Sequence, residues 1–199
     1  MAGDDPIAPF LRRQGALILD GGLATELEAV GADLSGGLWS ASCLRHEEEL
    51  IRHVHSRYLE AGADCITSAS YQATLEGFVA TGEGETTAAD LLRRSVQLAV
   101  EARDSFWGIE RNRRGRERPL VAVSIGPYGA FLADGSEYTG EYGLEEKDLI
   151  EFHRRRWDLL SSCGAELVAC ETIPAATEAT ALRCLRDAPP GARAWFSFC

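Results

Sequence analysis

The sequence predicts an α/β protein of the (β/α)8 TIM-barrel type with only about the first five strands present, that is, a partial barrel. First, strand-like and helix-like segments alternate along the chain, as they do in folds built on a parallel sheet. Second, the strand-like segments are apolar throughout, which is typical of strands buried on both faces. Third, polar residues stand where these strands end, and in a barrel those ends converge on one mouth, where ligands bind.

The predicted strands are short apolar runs bounded by glycine, proline or polar residues. They cover residues 16–20, 64–68, 120–124, 166–170 and 194–198. Apolar residues at helical spacing predict helices over residues 24–28, 47–61, 87–106, 146–163 and 175–186. Gly62 and Gly164 end two of these helices, and the run Pro189, Pro190, Gly191 breaks the last one.

Two helices show the face that should pack against the sheet. The helix of residues 47–61 presents Leu50, Val54 and Tyr58. The helix of residues 146–163 presents Leu149, His153, Trp157 and Leu160. On that apolar stripe, His153 is predicted to be a core imidazole with satisfied hydrogen bonds. His53 and His55 lie about 200° apart around their helix, so they cannot bind one metal together, and we predict both at the surface.

Two folds use this alternation of strands and helices, the barrel and the open doubly wound sheet. The doubly wound dinucleotide fold requires GxGxxG after its first strand, and Asp20-Gly21-Gly22-Leu23 does not supply it. A full barrel takes roughly 250 residues and eight strands, whereas this chain has 199 residues and five predicted strands. We therefore predict an N-terminal extension over residues 1–15, followed at 16–199 by the N-terminal part of a barrel domain.

Charge and composition exclude several classes of protein. The formal net charge is −11, from 20 basic and 31 acidic residues, which argues against nucleic acid or an anionic membrane as partner. No apolar run approaches the roughly 20 residues that span a bilayer, and acids stand where a signal peptide needs basic residues. The six cysteines are scattered singly, as in a reducing compartment. These features predict a cytoplasmic protein, in which the arginine run of residues 111–118 is solvated surface or a flexible insertion.

Two carboxylates stand at predicted strand ends. Asp20 precedes two glycines, and it fits equally an acceptor for a substrate ammonium group and an N-cap of the next helix. Glu171 follows four apolar residues of a strand, and a carboxylate in such a place needs a cationic partner. That partner is a ligand or a neighbouring arginine or lysine, and the position at the mouth favours the ligand.

Two loops carry further candidate binding residues. The segment after the second predicted strand, residues 67–74, is rich in small hydroxyl and amide side chains, which either orient a ligand or cap a turn. Residues 126–142, after the third predicted strand, form a long loop rich in glycine and tyrosine. Loops of this length are usually functional or disordered, and the aromatic residues favour a binding lid.

Four motifs in order resemble the homocysteine S-methyltransferase family, particularly its plant type. They are Asp20-Gly21-Gly22-Leu23-Ala24-Thr25-Glu26-Leu27-Glu28, Ser124-Ile125-Gly126-Pro127-Tyr128-Gly129-Ala130, Ala133-Asp134-Gly135-Ser136-Glu137-Tyr138 and Glu171-Thr172-Ile173-Pro174. The resemblance runs from about residue 16 to the end of the chain. It implies a cytoplasmic barrel enzyme of methionine biosynthesis, which moves a methyl group from S-methylmethionine or S-adenosylmethionine to homocysteine.

The resemblance also implies roles for particular residues. Asp20 and Glu171 hold the ammonium group of homocysteine, and Thr25, Ser70, Tyr71 and Gln72 line the same pocket. In the family, a zinc ion held by cysteine thiolates binds the sulfur of homocysteine and favours its nucleophilic thiolate form. Those cysteines follow the sixth and eighth strands, in part in a Gly-Gly-Cys-Cys motif, and therefore lie beyond Cys199.

This difference from the family leaves alternatives open for the chain itself. Cys65 and Cys170 stand near mouth residues, but alternation along the strand turns Cys170 away from Glu171, so no zinc site is expected from them. We accordingly expect no catalytic residue and no bound zinc within this chain. One alternative is a truncated, non-catalytic product that binds at most an amino acid or a partner. A further alternative is another barrel enzyme, with Asp20 and Glu171 as acid and base.

Overall fold

A computed structural model describes residues 5–34, 42–188 and 192–199 of the chain. The strands are β1 (Cys65–Thr67), β2 (Leu120–Ile125), β3 (Leu167–Ile173) and β4 (Ala194–Phe198). The helices are α1 (Ala8–Gln14), α2 (Leu23–Ala29), α3 (Cys43–His46), α4 (Glu48–Ala61), α5 (Leu75–Ala80), α6 (Glu85–Gly108), α7 (Tyr128–Leu132), α8 (Glu146–Leu160) and α9 (Ala176–Asp187). Short 3₁₀ turns lie at Glu110–Arg113 and Ser136–Tyr138. The helix break predicted at 189–191 lies outside the described residues.

The strands form one parallel sheet in the order β1-β2-β3-β4. Cys65 pairs with Leu120, Ala122 with Leu167 and Val168 with Ala194, so each strand lies beside the next one in the chain. Helices cross between the strands, as parallel pairing requires. The predicted α/β class and parallel sheet are confirmed.

The strand predicted at residues 16–20 is wrong as a full strand. The segment makes a single parallel bridge, between Leu19 and Cys65. Its backbone pairing is interrupted because the Ile18 amide donates to the side-chain carboxylate of Asp64. Ile18 and Leu19 are also 53% and 46% exposed, so little packing holds this segment flat against the sheet. The described residues therefore contain four strands and one bridge instead of five strands.

Both faces of the sheet are buried, as the continuous apolar strands predicted. Alternate residues form a cluster on one face: Phe10, Cys65, Leu120, Ala122, Leu167 and Ala169. The intervening residues pack under the helices, among them Ile66, Val121, Val123, Val168 and Cys170. Cys170 and Glu171 consequently point to opposite faces.

The long helices follow the apolar pattern of the sequence. Those predicted at 47–61, 87–106, 146–163 and 175–186 are confirmed as α4, α6, α8 and α9. Gly62 ends α4 at φ 115°, a left-handed conformation that glycine adopts without steric cost. Glu145 and Asp148 form a reciprocal capping box at the start of α8, which satisfies two backbone amides there.

The histidines divide between surface and core. His53 is exposed as predicted, but the surface position predicted for His55 is wrong, because this residue is fully buried. The buried face of α4 is formed by Ile51, Val54, His55 and Leu59, about one position around the helix from the predicted stripe. Neither ring nitrogen of His55 has a hydrogen-bond partner among the described residues, and burial lowers its pKa to about 4. On α8 the predicted stripe is confirmed, and His153 is fully buried.

The N-terminal helix α1 packs against one face of the sheet. Its only buried residue, among those described, is Phe10, which is 3% exposed and joins the cluster of Cys65, Leu120 and Leu167. The division between an extension and a domain at residue 15 stays a prediction. Physically, α1 belongs to the packing of the sheet.

The arginine run of residues 111–118 stabilises the ends of two helices. Arg113 donates to the carbonyl of Trp107 near the end of α6, and Arg116 donates to the carbonyls of Leu59 and Ala63 at the end of α4. Cations at these positions satisfy free carbonyls and complement the helix dipole. In the part of the chain that the structure describes, no helix is both long and apolar enough to cross a membrane.

Candidate functional site

A cleft of about 290 Å³ lies where β1, β2 and β3 end. Its lining includes Gly21, Gly22, Thr67, Ser68, Tyr71, Gln72, Ser124, Glu137, Tyr138, Glu171 and Thr172. These residues come from four separate segments that meet at the carboxyl edge of the sheet. This edge is where parallel α/β folds place their ligands.

Asp20 is held beside β1 by the end of that strand. Its carboxylate accepts a hydrogen bond from the Thr67 amide at 2.7 Å and from the Thr67 hydroxyl at 3.1 Å. It does not cap α2, whose N-cap is Gly22. The interpretation of Asp20 as a helix cap is therefore wrong. Asp20 is not among the residues that line the cleft, although its neighbour Gly21 and its hydrogen-bond partner Thr67 are.

Glu171 reaches the cleft through an irregularity in β3. The pairing register between β3 and β4 shifts between Cys170 and Ile173, and Thr172 has φ 58°. A left-handed conformation is a genuine outlier for a β-branched residue, and such bulges re-aim side chains next to functional sites. The Glu171 carboxylate accepts a short hydrogen bond from the Ser124 hydroxyl of β2. Thr172 follows it in the lining.

The two carboxylates have unusual electrostatics. Burial, helped by the charge of Glu171, raises the pKa of Asp20 to about 7 against the opposing hydrogen bonds from Thr67. Burial also raises the pKa of Glu171, against the hydrogen bond from Ser124. Among the ion pairs of the described ranges, none involves either residue. The cost of burying these two carboxylates is therefore not offset by a cationic side chain of the described residues.

The loop after β1 contributes differently at each predicted position. Tyr71 and Gln72 line the cleft, and the Gln72 amide donates to the Ala130 carbonyl at 3.1 Å. Ser70 is fully buried and donates to the Ser124 carbonyl at 2.7 Å, so it supports the lining from behind. Thr25 is exposed on α2 and lies outside the lining residues. Substrate contact by these four residues stays a prediction.

The loop after β2 folds tightly against the rest of the site. A Cβ atom at Gly126 would lie 2.6 Å from the Tyr71 carbonyl oxygen, and one at Gly129 would lie 2.3 Å from the Glu137 backbone nitrogen. Neither contact is possible, so both positions require glycine. This close packing places Glu137 and Tyr138 in the lining.

Several residues of the site escaped the sequence analysis. Thr67 and Ser124 were noted as polar strand ends, but not as the partners of Asp20 and Glu171. Arg156 was not singled out at all, although it is 2% exposed on the buried face of α8. An arginine on an apolar helical stripe is the signal that could have found it, since arginine is seldom buried without a partner.

The cysteines do not form a metal site. Cys65 and Cys170 lie on opposite faces of the sheet. Burial raises the pKa of Cys170 to about 12 and that of Cys65 well above its usual range, whereas zinc binds thiolates. Cys199 lies at the rim, with its Sγ 3.7 Å from the Glu137 carbonyl oxygen. Within residues 5–34, 42–188 and 192–199, no three His, Cys, Asp or Glu side chains are grouped to hold a metal ion.

Comparison with known proteins finds close relatives of this sequence. A family model described as Homocysteine S-methyltransferase matches residues 17–199. Homocysteine S-methyltransferase YbgG of Bacillus subtilis (strain 168) is 52% identical over 194 residues, which are 98% of this chain and 62% of that protein. The selenocysteine Se-methyltransferase of Brassica oleracea var. italica is 51% identical in an alignment of 195 positions that covers 92% of this chain and 56% of that protein.

A solved structure matches the fold closely. The crystal structure of the homocysteine methyltransferase MmuM from Escherichia coli in its oxidized form has a TM-score of 0.91 and 48% sequence identity, covering 98% of this chain and 66% of that one. Its metallated form has a TM-score of 0.90. The chain therefore spans between 56% and 66% of the length of these three relatives.

Proposed function

The chain belongs to the homocysteine S-methyltransferase family, because the model of that family matches residues 17–199. From this premise we propose that the protein transfers a methyl group to the sulfur of homocysteine, giving methionine. The proposed donor is a sulfonium compound, S-methylmethionine or S-adenosylmethionine. The similarity to a selenocysteine Se-methyltransferase makes selenocysteine a second methyl acceptor to be tested.

The observation that carries the proposal is the pair of carboxylates at the cleft. Asp20 and Glu171 are partly buried, hydrogen-bonded to Thr67 and Ser124, and without an arginine or lysine partner among the described residues. The ammonium group of an amino acid supplies the missing positive charge and donates hydrogen bonds to both. Charge-assisted bonds of this kind are about twice as strong as neutral ones.

The proposed reaction needs an oriented nucleophile more than an acid or a base. The thiol of homocysteine loses its proton to solvent, and a sulfur lone pair attacks the methyl carbon of the sulfonium. The bond between that carbon and the donor sulfur breaks, and its electrons remain on the donor as a neutral thioether. Since the leaving group is already good, holding the two sulfurs in line with the methyl group supplies most of the rate. Asp20 and Glu171 contribute by fixing the acceptor at its amino end.

In this proposal, a zinc ion is expected for the family and is not assigned to this chain. When bound, such an ion stabilises the thiolate of homocysteine at neutral pH. Cys65 and Cys170 do not fit it, because they lie on opposite faces of the sheet and burial raises the pKa of both thiols. Every role assigned to this chain is therefore independent of a metal ion.

The proposal also includes the complete fold and the cellular location of the protein. We take the parallel sheet to be part of a (β/α)8 barrel, because its strands follow one another in order and its site lies at their carboxyl ends. We place the protein in the cytoplasm, because all six cysteines are free thiols. The relatives named as methyltransferases favour an enzyme over the non-catalytic alternative.

Calorimetric titration with homocysteine tests the ammonium site. We expect Glu171→Gln to weaken binding by about 10- to 100-fold, the loss that corresponds to one hydrogen bond of a charged group. Glu151→Gln is the matched control, because Glu151 is exposed on α8. Equal affinity of the two variants would refute the proposed role of Glu171.

Methyl transfer is measured separately, as labelled methionine formed from homocysteine and methyl-labelled S-methylmethionine. Turnover supports the enzymatic proposal for this chain. Homocysteine binding without turnover in the 199-residue chain supports the binding-only alternative.

A further inference from the structure

We propose that Arg156, His153 and Glu178 are positioning residues, which hold the loops after β1 and β2 against helices α8 and α9 and thereby fix the lining of the cleft. The three side chains are buried, at 2%, 0% and 0% exposure, and form a continuous chain of hydrogen bonds. None of them lines the cleft itself. The inference rests on the proposed amino-acid site, because it concerns the loops that form it.

Glu178 connects α9, the helix that follows β3, with the loop after β2. It lies on α9, seven residues after Glu171. Its carboxylate accepts hydrogen bonds from the Tyr128 amide at 2.6 Å, from the Tyr142 hydroxyl at 3.2 Å and from His153 Nε2 at 2.8 Å. Tyr128 begins α7, and Tyr142 ends the stretch that follows Glu137 and Tyr138. Glu178 thus fastens both ends of the segment that supplies two lining residues.

Arg156 connects the loop after β2 with the loop after β1. Its guanidinium donates to the Gly126 carbonyl at 2.6 Å and to the carbonyls of Tyr71 and Ala73 at 3.4 Å each. The Gly126 amide in turn donates to the Tyr71 carbonyl at 3.1 Å. The planar fork of arginine spreads five N–H donors in a fixed geometry, whereas lysine has three donors on a single nitrogen atom. Arg156 therefore sets the backbone on either side of Gln72, next to the ring of Tyr71.

His153 lies between Arg156 and Glu178, and its two hydrogen bonds determine which ring nitrogen carries the proton. Arg156 donates to its Nδ1 at 2.9 Å. Because a guanidinium has only donors, Nδ1 is unprotonated, and the neutral ring carries its proton on Nε2 and donates it to Glu178. Burial lowers the pKa of His153 to about 4, so the ring is neutral across the physiological range. The arrangement contains one positive and one negative charge and leaves both ring nitrogens satisfied.

Aromatic rings close this network from the side of α8. The Phe152 ring lies 4.8 Å from that of Tyr128, edge to face, and the guanidinium of Arg156 lies 5.6 Å from the Phe152 centroid. Such packing restrains the rings and excludes water, which strengthens buried hydrogen bonds. The network restrains the backbones of the loops, and through them it restrains the residues that line the cleft.

Amide hydrogen exchange followed by NMR tests the inference at two sites. In Arg156→Met we expect the amides of Gly126 and Tyr128 to exchange at least about tenfold faster, since loss of one charged hydrogen bond corresponds to that factor. The amides of Val121 and Val123 in β2 serve as the internal control, and we expect their exchange to stay at the wild-type rate. The ring ¹⁵N signal of His153 Nδ1 should also shift, because that atom loses its donor.

Binding of homocysteine to the same variants separates positioning from simple stabilisation. We expect affinity to fall about tenfold or more in Arg156→Met and in Glu178→Gln, and to fall less in Arg156→Lys. Arg155→Met is the matched control, because Arg155 is exposed one position away on α8 and pairs only with surface acids among the described residues. We expect wild-type behaviour from it.

The outcomes are distinct. Unchanged exchange at Gly126 and Tyr128, or a general loss of stability with unchanged affinity, overturns the proposal. If Arg156→Met does not fold, Glu178→Gln and Arg156→Lys carry the same comparison. If wild type does not bind homocysteine but the loop amides respond as expected, the positioning role stands and the proposed substrate is wrong.

Discussion

The carboxylates of Asp20 and Glu171 carry the proposed ammonium site, and their surroundings show how burial changes a single acidic residue. Partial burial makes the charged form costly, which raises the pKa of each. Hydrogen bonds from Thr67 and Ser124 offset part of that cost. In the proposed site, the positive charge of the ligand offsets the rest, because it favours the charged form of both acids.

The pKa of Asp20 makes ligand binding depend on pH. Below its pKa of about 7, Asp20 binds a proton in the free protein, and this proton must leave when the ammonium binds. Affinity for homocysteine should therefore fall by up to about tenfold per pH unit below that value and level off above it. Calorimetry at a series of pH values measures this. Asp20→Asn should bind more weakly and lose this dependence; an identical pH profile in both proteins would contradict the assignment.

Single residues differ in how far the sequence reveals them. Asp20 and Glu171 were predictable because a polar residue at the end of an apolar strand stands out locally. Arg156 was not, because its partners Tyr71 and Gly126 are 85 and 30 positions away and offer only backbone carbonyls. A backbone acceptor has no sequence signature. His55 was misassigned for a related reason, since the packing face of α4 is set by its neighbours as well as by its own period.

At the scale of elements, length decides what the sequence can predict. The helices α4, α6, α8 and α9 have 12 to 24 residues, enough for an apolar period to be recognised. The helices α1, α3, α5 and α7 have four to seven residues and were not predicted. Such short helices depend on caps and on tertiary packing. Two of them, α5 and α7, belong to the loops of the cleft.

The cap of α5 is a test at this scale. Thr74 Oγ1 accepts a hydrogen bond from the Gly77 amide at 2.8 Å, and Thr74 is 1% exposed. We expect Thr74→Ala to lower the free energy of unfolding by about 1 kcal/mol, because the amide loses its partner. Urea denaturation measures the change. Thr87→Ala, at an exposed position of α6, is the control and should change stability by less than about 0.5 kcal/mol. An equal effect of the two substitutions would mean that the cap contributes nothing.

At the scale of the whole molecule, the sheet is closed from three sides. Helices cover one face, the loops form the cleft at the carboxyl end, and α1 closes the other face through Phe10. The sequence predicted the first two from apolar strands and polar strand ends. It did not predict the third, because one phenylalanine in a seven-residue helix gives no periodic signal.

This closure predicts the effect of a substitution far from the cleft. We expect Phe10→Ala to lower the free energy of unfolding by about 3 kcal/mol, since it leaves a cavity against Cys65, Leu120 and Leu167. Leu11→Ala is the control, because Leu11 is 49% exposed, and its effect should stay below about 1 kcal/mol. Denaturant titration compares the two. A small effect of Phe10→Ala would show that residues 1–15 are an independent extension.

The two tight glycines of the loop after β2 limit how this protein can be redesigned. Gly126 and Gly129 have no room for a Cβ against Tyr71 and Glu137, so neither position tolerates random substitution. A directed-evolution library aimed at a new acceptor or donor should keep both fixed and vary Tyr138, which is 63% exposed at the rim. The substitutions then fall at a position where the backbone tolerates a change of side chain.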